Sequence, residues 1–213
     1  MTSLQPTATD RPYRGVGGDE RRAVRRATLV RTALDCLDSD GLSGVSVRSI
    51  CARARLTPRY FYESFADLDE LLVAVVDEVA AEVAAAGVAA VAKAPDDLQA
   101  QVYALVDAAY GVVAVDARKA NALLVAASGH GPLRDRREQL LVDYANIAIG
   151  NLPALGALTA VDRRQATATG LFLMGGTAEL IAAVLSGSLR LSRSQVVDLL
   201  AGMWVSVIAG EAD

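Results

Sequence analysis

Cysteine, histidine and aromatic side chains are scarce in this chain of 213 residues, which holds two Cys, one His and 5% Phe, Trp and Tyr together. Two thiols, Cys36 and Cys51, cannot build a multi-disulfide framework, and no Cys or His cluster has metal-ligand spacing. No metal or cofactor is expected. Phosphate loops, dinucleotide fingerprints and nucleophile elbows are absent as well, which leaves an enzyme only as the alternative class. A Ser-His-Asp or Cys-His device would have to use His130, in the turn Gly129-His130-Gly131-Pro132, where solvation or helix capping suits it better.

The first twenty residues lack the apolar core of a secretory signal, being polar and broken by Pro6, Pro12, Gly15, Gly17 and Gly18. The uncharged stretch from Tyr144 to Val161 contains Asn146, Asn151, Pro153 and two glycines, a poor sequence for crossing hydrocarbon. No membrane span is read, and a reducing cytoplasm is the expected location.

What is abundant is aliphatic: hydrophobic residues reach 53%, dominated by Ala, Val and Leu. Small side chains of this kind favour closely packed helices over aromatic-rich sheets, so the expected fold class is all-α. The net charge of −4 hides an asymmetry. From Arg11 to Arg59 eleven arginines face five acidic residues, a balance of +6, whereas from Tyr60 to Asp213 ten basic residues face nineteen acidic ones, a balance of −9. A basic end on an acidic body is the footprint of a DNA-binding module carried by another domain.

Within the basic end the helical signals are local and sharp. Val30, Ala33, Leu34 and Leu37 share one helix stripe, and Gly41 stops it. Ser46 sits at an N-cap position ahead of Val47, Ile50, Cys51 and Ala54, a second helix of about two turns. Thr57 and Pro58 then open a third helix, since proline at the first position has φ preset and no amide to leave unbonded. Phe61 and Phe65 face inward at a spacing of four, which leaves Arg59, Tyr60, Tyr62 and Glu63 outward. Asp67 with Glu70 forms a capping box for a fourth helix striped by Leu68, Leu71, Leu72, Val75 and Val79. Two short helices meeting across a tight turn can lay the second in a major groove.

The run Gly41-Leu42, Ser46-Val-Arg-Ser-Ile-Cys-Ala-Arg-Ala, Leu56-Thr57, Phe61-Tyr62, Phe65 and Leu71-Leu72 resembles the TetR family of repressors over residues 25 to 75. The resemblance implies an all-helical homodimer that binds a palindromic operator and releases it on ligand binding. It implies that Tyr62 touches the DNA backbone and that Thr57, Arg59 and Tyr60 face the groove, with Arg48 approaching a phosphate. Sorted by task, Arg48, Thr57 and Tyr62 go to phosphate, and Arg59 and Tyr60 to bases, Arg59 being suited to guanine O6 and N7. A core aromatic is the alternative role for Tyr62. Two positions depart from the family pattern: Arg55 stands where a glycine is usual in the turn, and Leu68 where a lysine is common. Among the arginines that precede or open the first helix, Arg14 is the candidate for minor-groove insertion, a solvated tail being the alternative.

The organisation expected is a flexible basic arm over residues 1–22, a helix-turn-helix domain over 23–66 and an effector-binding and dimerisation domain over 67–213, with about nine helices in all. Helix starts in the last of these are read at Asp96 with Gln99, at Asp116, at Gly131-Pro132, at Asp162 with Gln165 and at Ser192 with Gln195. Residues 151–161 read as a loop. Gly170, Gly175 and Gly176 would allow close helix approach, so the last two helices are expected to pair with those of a second chain as a four-helix bundle, the arrangement the family resemblance also implies. Tyr103 and Tyr110, seven apart, are candidates to line an effector pocket with Leu123 and Phe172, ordinary core being the alternative. Trp204 is assigned to the dimer interface. The expected partners are thus an inverted-repeat DNA operator, an apolar or aromatic small molecule of unknown identity, and a second copy of the chain. A redox-sensing regulator acting through Cys36 or Cys51 is a further alternative, although thiols on apolar stripes are usually inert.

Overall fold

The computed structural model describes residues 17–128, 131–155 and 162–210. Among the described residues nine helices are delimited and no strand occurs: α1 (Gly18–Gly44), α2 (Val47–Ala54), α3 (Pro58–Tyr62), α4 (Leu68–Val91), α5 (Leu98–Ala114), α6 (Ala117–Ser128), α7 (Pro132–Asn151), α8 (Arg163–Leu185) and α9 (Arg193–Gly210). Helix α1 begins at Gly18, so Arg21 and Arg22 belong to its first turns rather than to an arm.

Three local devices shape the N-terminal module. Gly41 takes φ 65° and ψ 177° and breaks α1, a backbone that costs a residue without Cβ little. Ser46 caps α2 reciprocally with Ser49: the Ser49 amide donates to Ser46 Oγ at 3.1 Å, and the Ser46 amide donates to Ser49 Oγ at 3.0 Å. Arg55, in the position of the missing glycine, is left-handed at φ 55°, which lets its amide and that of Leu56 turn back onto α2. For an L-residue this conformation costs roughly 1–2 kcal/mol. Thr57 occupies the cap of α3 by its backbone alone, its carbonyl accepting from the Tyr60 and Phe61 amides, with Pro58 in the first turn. Leu29, Val30, Ala33, Cys36 and Leu37 of α1 close with Ile50, Cys51, Phe61 and Phe65 into a continuous core. Leu68, the first residue of α4, packs against that core.

The body is organised round α4, which packs on α1, α5, α6 and α7; α9 lies on α5, and α8 on α7. Its caps follow the sequence with two shifts: Asp67 caps α4 by accepting from the Glu70 amide at 2.8 Å, but Glu70 Oε2 takes the Ala66 amide at 2.6 Å instead of closing the box on Asp67. Asp97, not Asp96, caps α5 by accepting from the Ala100 amide at 2.8 Å, while the Asp97 amide is drawn back onto the Pro95 carbonyl. Of two adjacent carboxylates, the turn after Pro95 decides which one reaches the orphan amides. Asp116, Gly131, Asp162 and the Ser192–Gln195 pair stand at helix starts as read. Gly170 meets Ala145 of α7 so closely that a Cβ would lie 3.0 Å from it, whereas Gly175 and Gly176 face open space.

Candidate functional site

Helix α3 presents two unlike sides. Phe61 and Phe65 are buried with tilted rings 5.9 Å apart, and they fix the helix to the module. On the opposite side Arg59 has 85% of its side chain exposed and Tyr62 is 61% exposed, so Tyr62 is not a core aromatic. Thr57 and Arg48 are exposed as well, and Tyr60 is partly so.

The exposed groups are held by an ion cluster that periodicity does not announce. Glu63 receives Arg59 Nε at 3.2 Å and Arg25 of α1 at 3.3 Å. The Arg25 guanidinium also stacks over the Tyr60 ring, 4.5 Å from its centroid. Arg25 Nε is buried without a partner, the one such side-chain atom among the described residues. Charge and ring together hold the outer edge of α3 against α1. Alongside, Arg53 bonds both oxygens of Asp40 at 2.8 and 3.0 Å and Ser39 Oγ at 2.7 Å, locking α2 to the end of α1, and the Asp40 carboxylate raises the Arg53 pKa. Burial pushes the Cys36 and Cys51 thiols up from their ordinary range, which disfavours the thiolate that oxidation needs. Arg14 and His130 lie outside the described residues.

In the body, α4 to α8 and Trp204 of α9 enclose an apolar cavity of about 190 Å³. Tyr110 and Leu123 border it, together with Val83, Val88, Leu105, Leu140, Met174 and Ile181. The other two expected lining residues do not. Tyr103 is 43% exposed on α5, and Phe172 is 70% exposed on the outer side of α8. Seven residues advance a helix by slightly less than two turns, so Tyr103 and Tyr110 share a broad stripe without sharing burial. Trp204 is buried within the protomer, where its indole Nε1 donates to Thr177 Oγ1 of α8 at 2.9 Å. It borders the cavity on one side and the groove between α8 and α9 on the other. Burial raises the Tyr144 pKa, and its hydroxyl donates to the Ala80 carbonyl at 2.9 Å.

The contacts between α6 and α1 lie outside the sequence expectations. Arg118 at the start of α6 joins Asp116 to Asp35 of α1, each at 2.8 Å, and Asn121 donates to Asp38 of α1 at 2.9 Å. Helix α6 thus touches both the module and, through Leu123 and Leu124, the cavity. On the far side, α8 and α9 frame an outward groove of about 600 Å³ whose walls include Phe172, Gly176, Leu180, Leu199, Met203 and Val207. Length and composition alone would let α8 cross a membrane, and only 17% of its apolar window is buried in the protomer. Among the described residues no group of three or more His, Cys, Asp or Glu side chains could hold a metal ion.

A helix-turn-helix module seated on a hollow helical body defines a class of all-helical, two-part proteins. Solved structures similar to this chain place it in that class more closely: its fold is that of TetR-type transcriptional regulators. A protein assigned as a transcriptional regulator from Pseudomonas aeruginosa PAO1 superposes with a TM-score of 0.70 at 20% identity, over 92% of this chain and 97% of that one. A protein assigned to the TetR family from Syntrophomonas wolfei gives 0.67 at 14% identity, over 88% and 96%. The fatty acid degradation regulator FadR from Bacillus halodurans gives 0.68 at 14% identity, over 87% and 95%. No protein-family model matches the chain, and no curated protein does.

Proposed function

We propose that this chain is a TetR-family transcriptional repressor, a cytoplasmic homodimer that grips an inverted-repeat operator and releases it when a small apolar or aromatic effector enters the cavity. The observation that carries the reading is the outer side of α3, where Arg59, Tyr60 and Tyr62 stand on a helix anchored from behind by Phe61 and Phe65. In a major groove Arg59 leaves Glu63 for guanine O6 and N7, and Tyr60 meets a neighbouring base. Tyr62, Thr57 and Arg48 hold phosphates and set the register, and Arg14 reaches the adjacent minor groove.

Two copies are required because half-sites lie one helical turn apart, about 34 Å. The apolar groove between α8 and α9 suits a four-helix interface, with Phe172 and Met203 as its exposed contacts. Closing that groove accounts for the apolar surface of α8 without a membrane. Helix α6 is the route between the sites. A ligand that shifts Leu123 and Leu124 pulls on Asp35 and Asp38 of α1 through Arg118 and Asn121, and so on the separation of the two α3 helices.

Selection of bound duplexes from a random pool by the full-length protein, with the molar mass of the complex measured, tests the reading. An enriched inverted repeat carried by one or more dimers is the expected result. No enrichment at modest salt, with the helical fold intact by circular dichroism, would sink it.

A further inference from the structure

Among the described side chains that border the cavity, Arg137 alone is charged. The other polar walls are engaged inside the protein. The Tyr144 hydroxyl donates to the Ala80 carbonyl at 2.9 Å, Asn151 Nδ2 to the Ile147 carbonyl at 2.7 Å, and Trp204 Nε1 to Thr177 Oγ1 at 2.9 Å. Each of these groups already spends its donor inside the protein, so a ligand that took one would only exchange one hydrogen bond for another. Arg137 differs, because its guanidinium pairs with Glu179 of α8, whose side chain is 68% exposed. When displaced, that carboxylate regains water, so this ion pair is the contact in the lining that exchanges at least cost. The guanidinium presents a planar fork matched to a carboxylate, and one cation balances one negative charge. Beyond it the wall is hydrocarbon. Along α7 it runs from Arg137 through Leu140, Leu141, Tyr144 and Ile147 to Leu152, about 22 Å of helix at the usual rise.

We propose that the cavity binds a monocarboxylate with an extended apolar chain. The head group takes the place of Glu179 on Arg137, and the chain lies along the α7 wall. The inference rests on the effector reading above and adds the chemical class of the ligand. Burial of the chain supplies the binding energy, and the Arg137 fork supplies selection.

Trp204 is the single tryptophan of the chain and borders the cavity, so its emission reports occupancy. The full-length protein is titrated with octanoate, 1-octanol and octyltrimethylammonium, whose seven- to eight-carbon chains suit a cavity of about 190 Å³, each below its micellar concentration. Octanoate should bind at least about tenfold tighter than the alcohol, and the cation more weakly than either. Each methylene removed from the carboxylate should weaken binding about fourfold. Arg137→Gln should erase the preference for carboxylate over alcohol while the alcohol still binds as before, which shows the cavity intact. Glu179→Gln should tighten the carboxylate severalfold and leave the alcohol unchanged. Equal binding of carboxylate and alcohol, or a preference that survives Arg137→Gln, overturns this inference and leaves the effector reading standing. Should none of the three probes bind, the inference falls; if neutral aromatic compounds also leave Trp204 emission and DNA binding unaltered, the effector reading falls with it.

Discussion

Phe61 and Phe65 fill the small module from within, while the body, far longer in sequence, closes round a cavity walled by Val, Leu and Ala. The contrast follows from what each has to pack. Helices of eight and five residues bury little surface of their own, so the module fills its core with two rings, each of which buries on the order of 150–250 Å², set against the aliphatic stripe of α1. The body has long helices of small side chains, which come together readily yet leave space between them. A filled core holds the reading surface in one shape, and an unfilled one leaves room for a ligand.

The largest expected effects test that contrast with one chemistry. Leu29→Ala, in the filled module, should cost about 3–5 kcal/mol, whereas Leu140→Ala, on the cavity wall, should cost about 2 kcal/mol, since its side chain already lacks partners on one face. Equal losses by chemical denaturation would break the comparison. On the DNA side, Arg59→Ala should weaken operator binding by about 1–3 kcal/mol and relax the base preference at one position. An equal loss on every sequence would assign Arg59 to phosphate instead. Arg55→Gly should stabilise the module by about 1 kcal/mol, because it relieves the left-handed strain without touching the core. A lower melting temperature for that variant would show that the turn draws its stability from contacts of the arginine. Smallest of all, Tyr62→Phe should cost about 0.5–1.5 kcal/mol of affinity, the worth of one hydrogen bond, and leave the selected sequence unchanged. A shifted preference would move Tyr62 from the phosphates to the bases.

The module was legible because its signals are local. Gly41, Ser46, Pro58 and Asp67 act on the backbone within four residues of themselves, and the stripes of α1, α2 and α4 name their buried faces by period alone. Even there the salt bridges of Glu63 were hidden, since Arg25 reaches it from a helix 38 residues away. In the body the same reasoning found the helices and most of their caps but misjudged their faces. Helix α8 is apolar nearly all round, so periodicity could not say that Phe172 turns outward while Met174 and Thr177 turn to the cavity.

By itself, then, the sequence determined that the chain is helical, where most of its helices begin, and that a basic helix-turn-helix precedes an acidic body. Those are properties of neighbours along the chain, set by dihedral preference, capping and charge. Only the tertiary structure decided which residues enclose the cavity, that Trp204 is bonded to Thr177 inside the protomer, that Arg137 is the one charged wall of the cavity among the described residues, and that α6 is tied to α1 through Arg118 and Asn121. Each of these depends on how helices far apart in sequence cross, and crossing is settled by side-chain shape over the whole interface rather than by any local pattern.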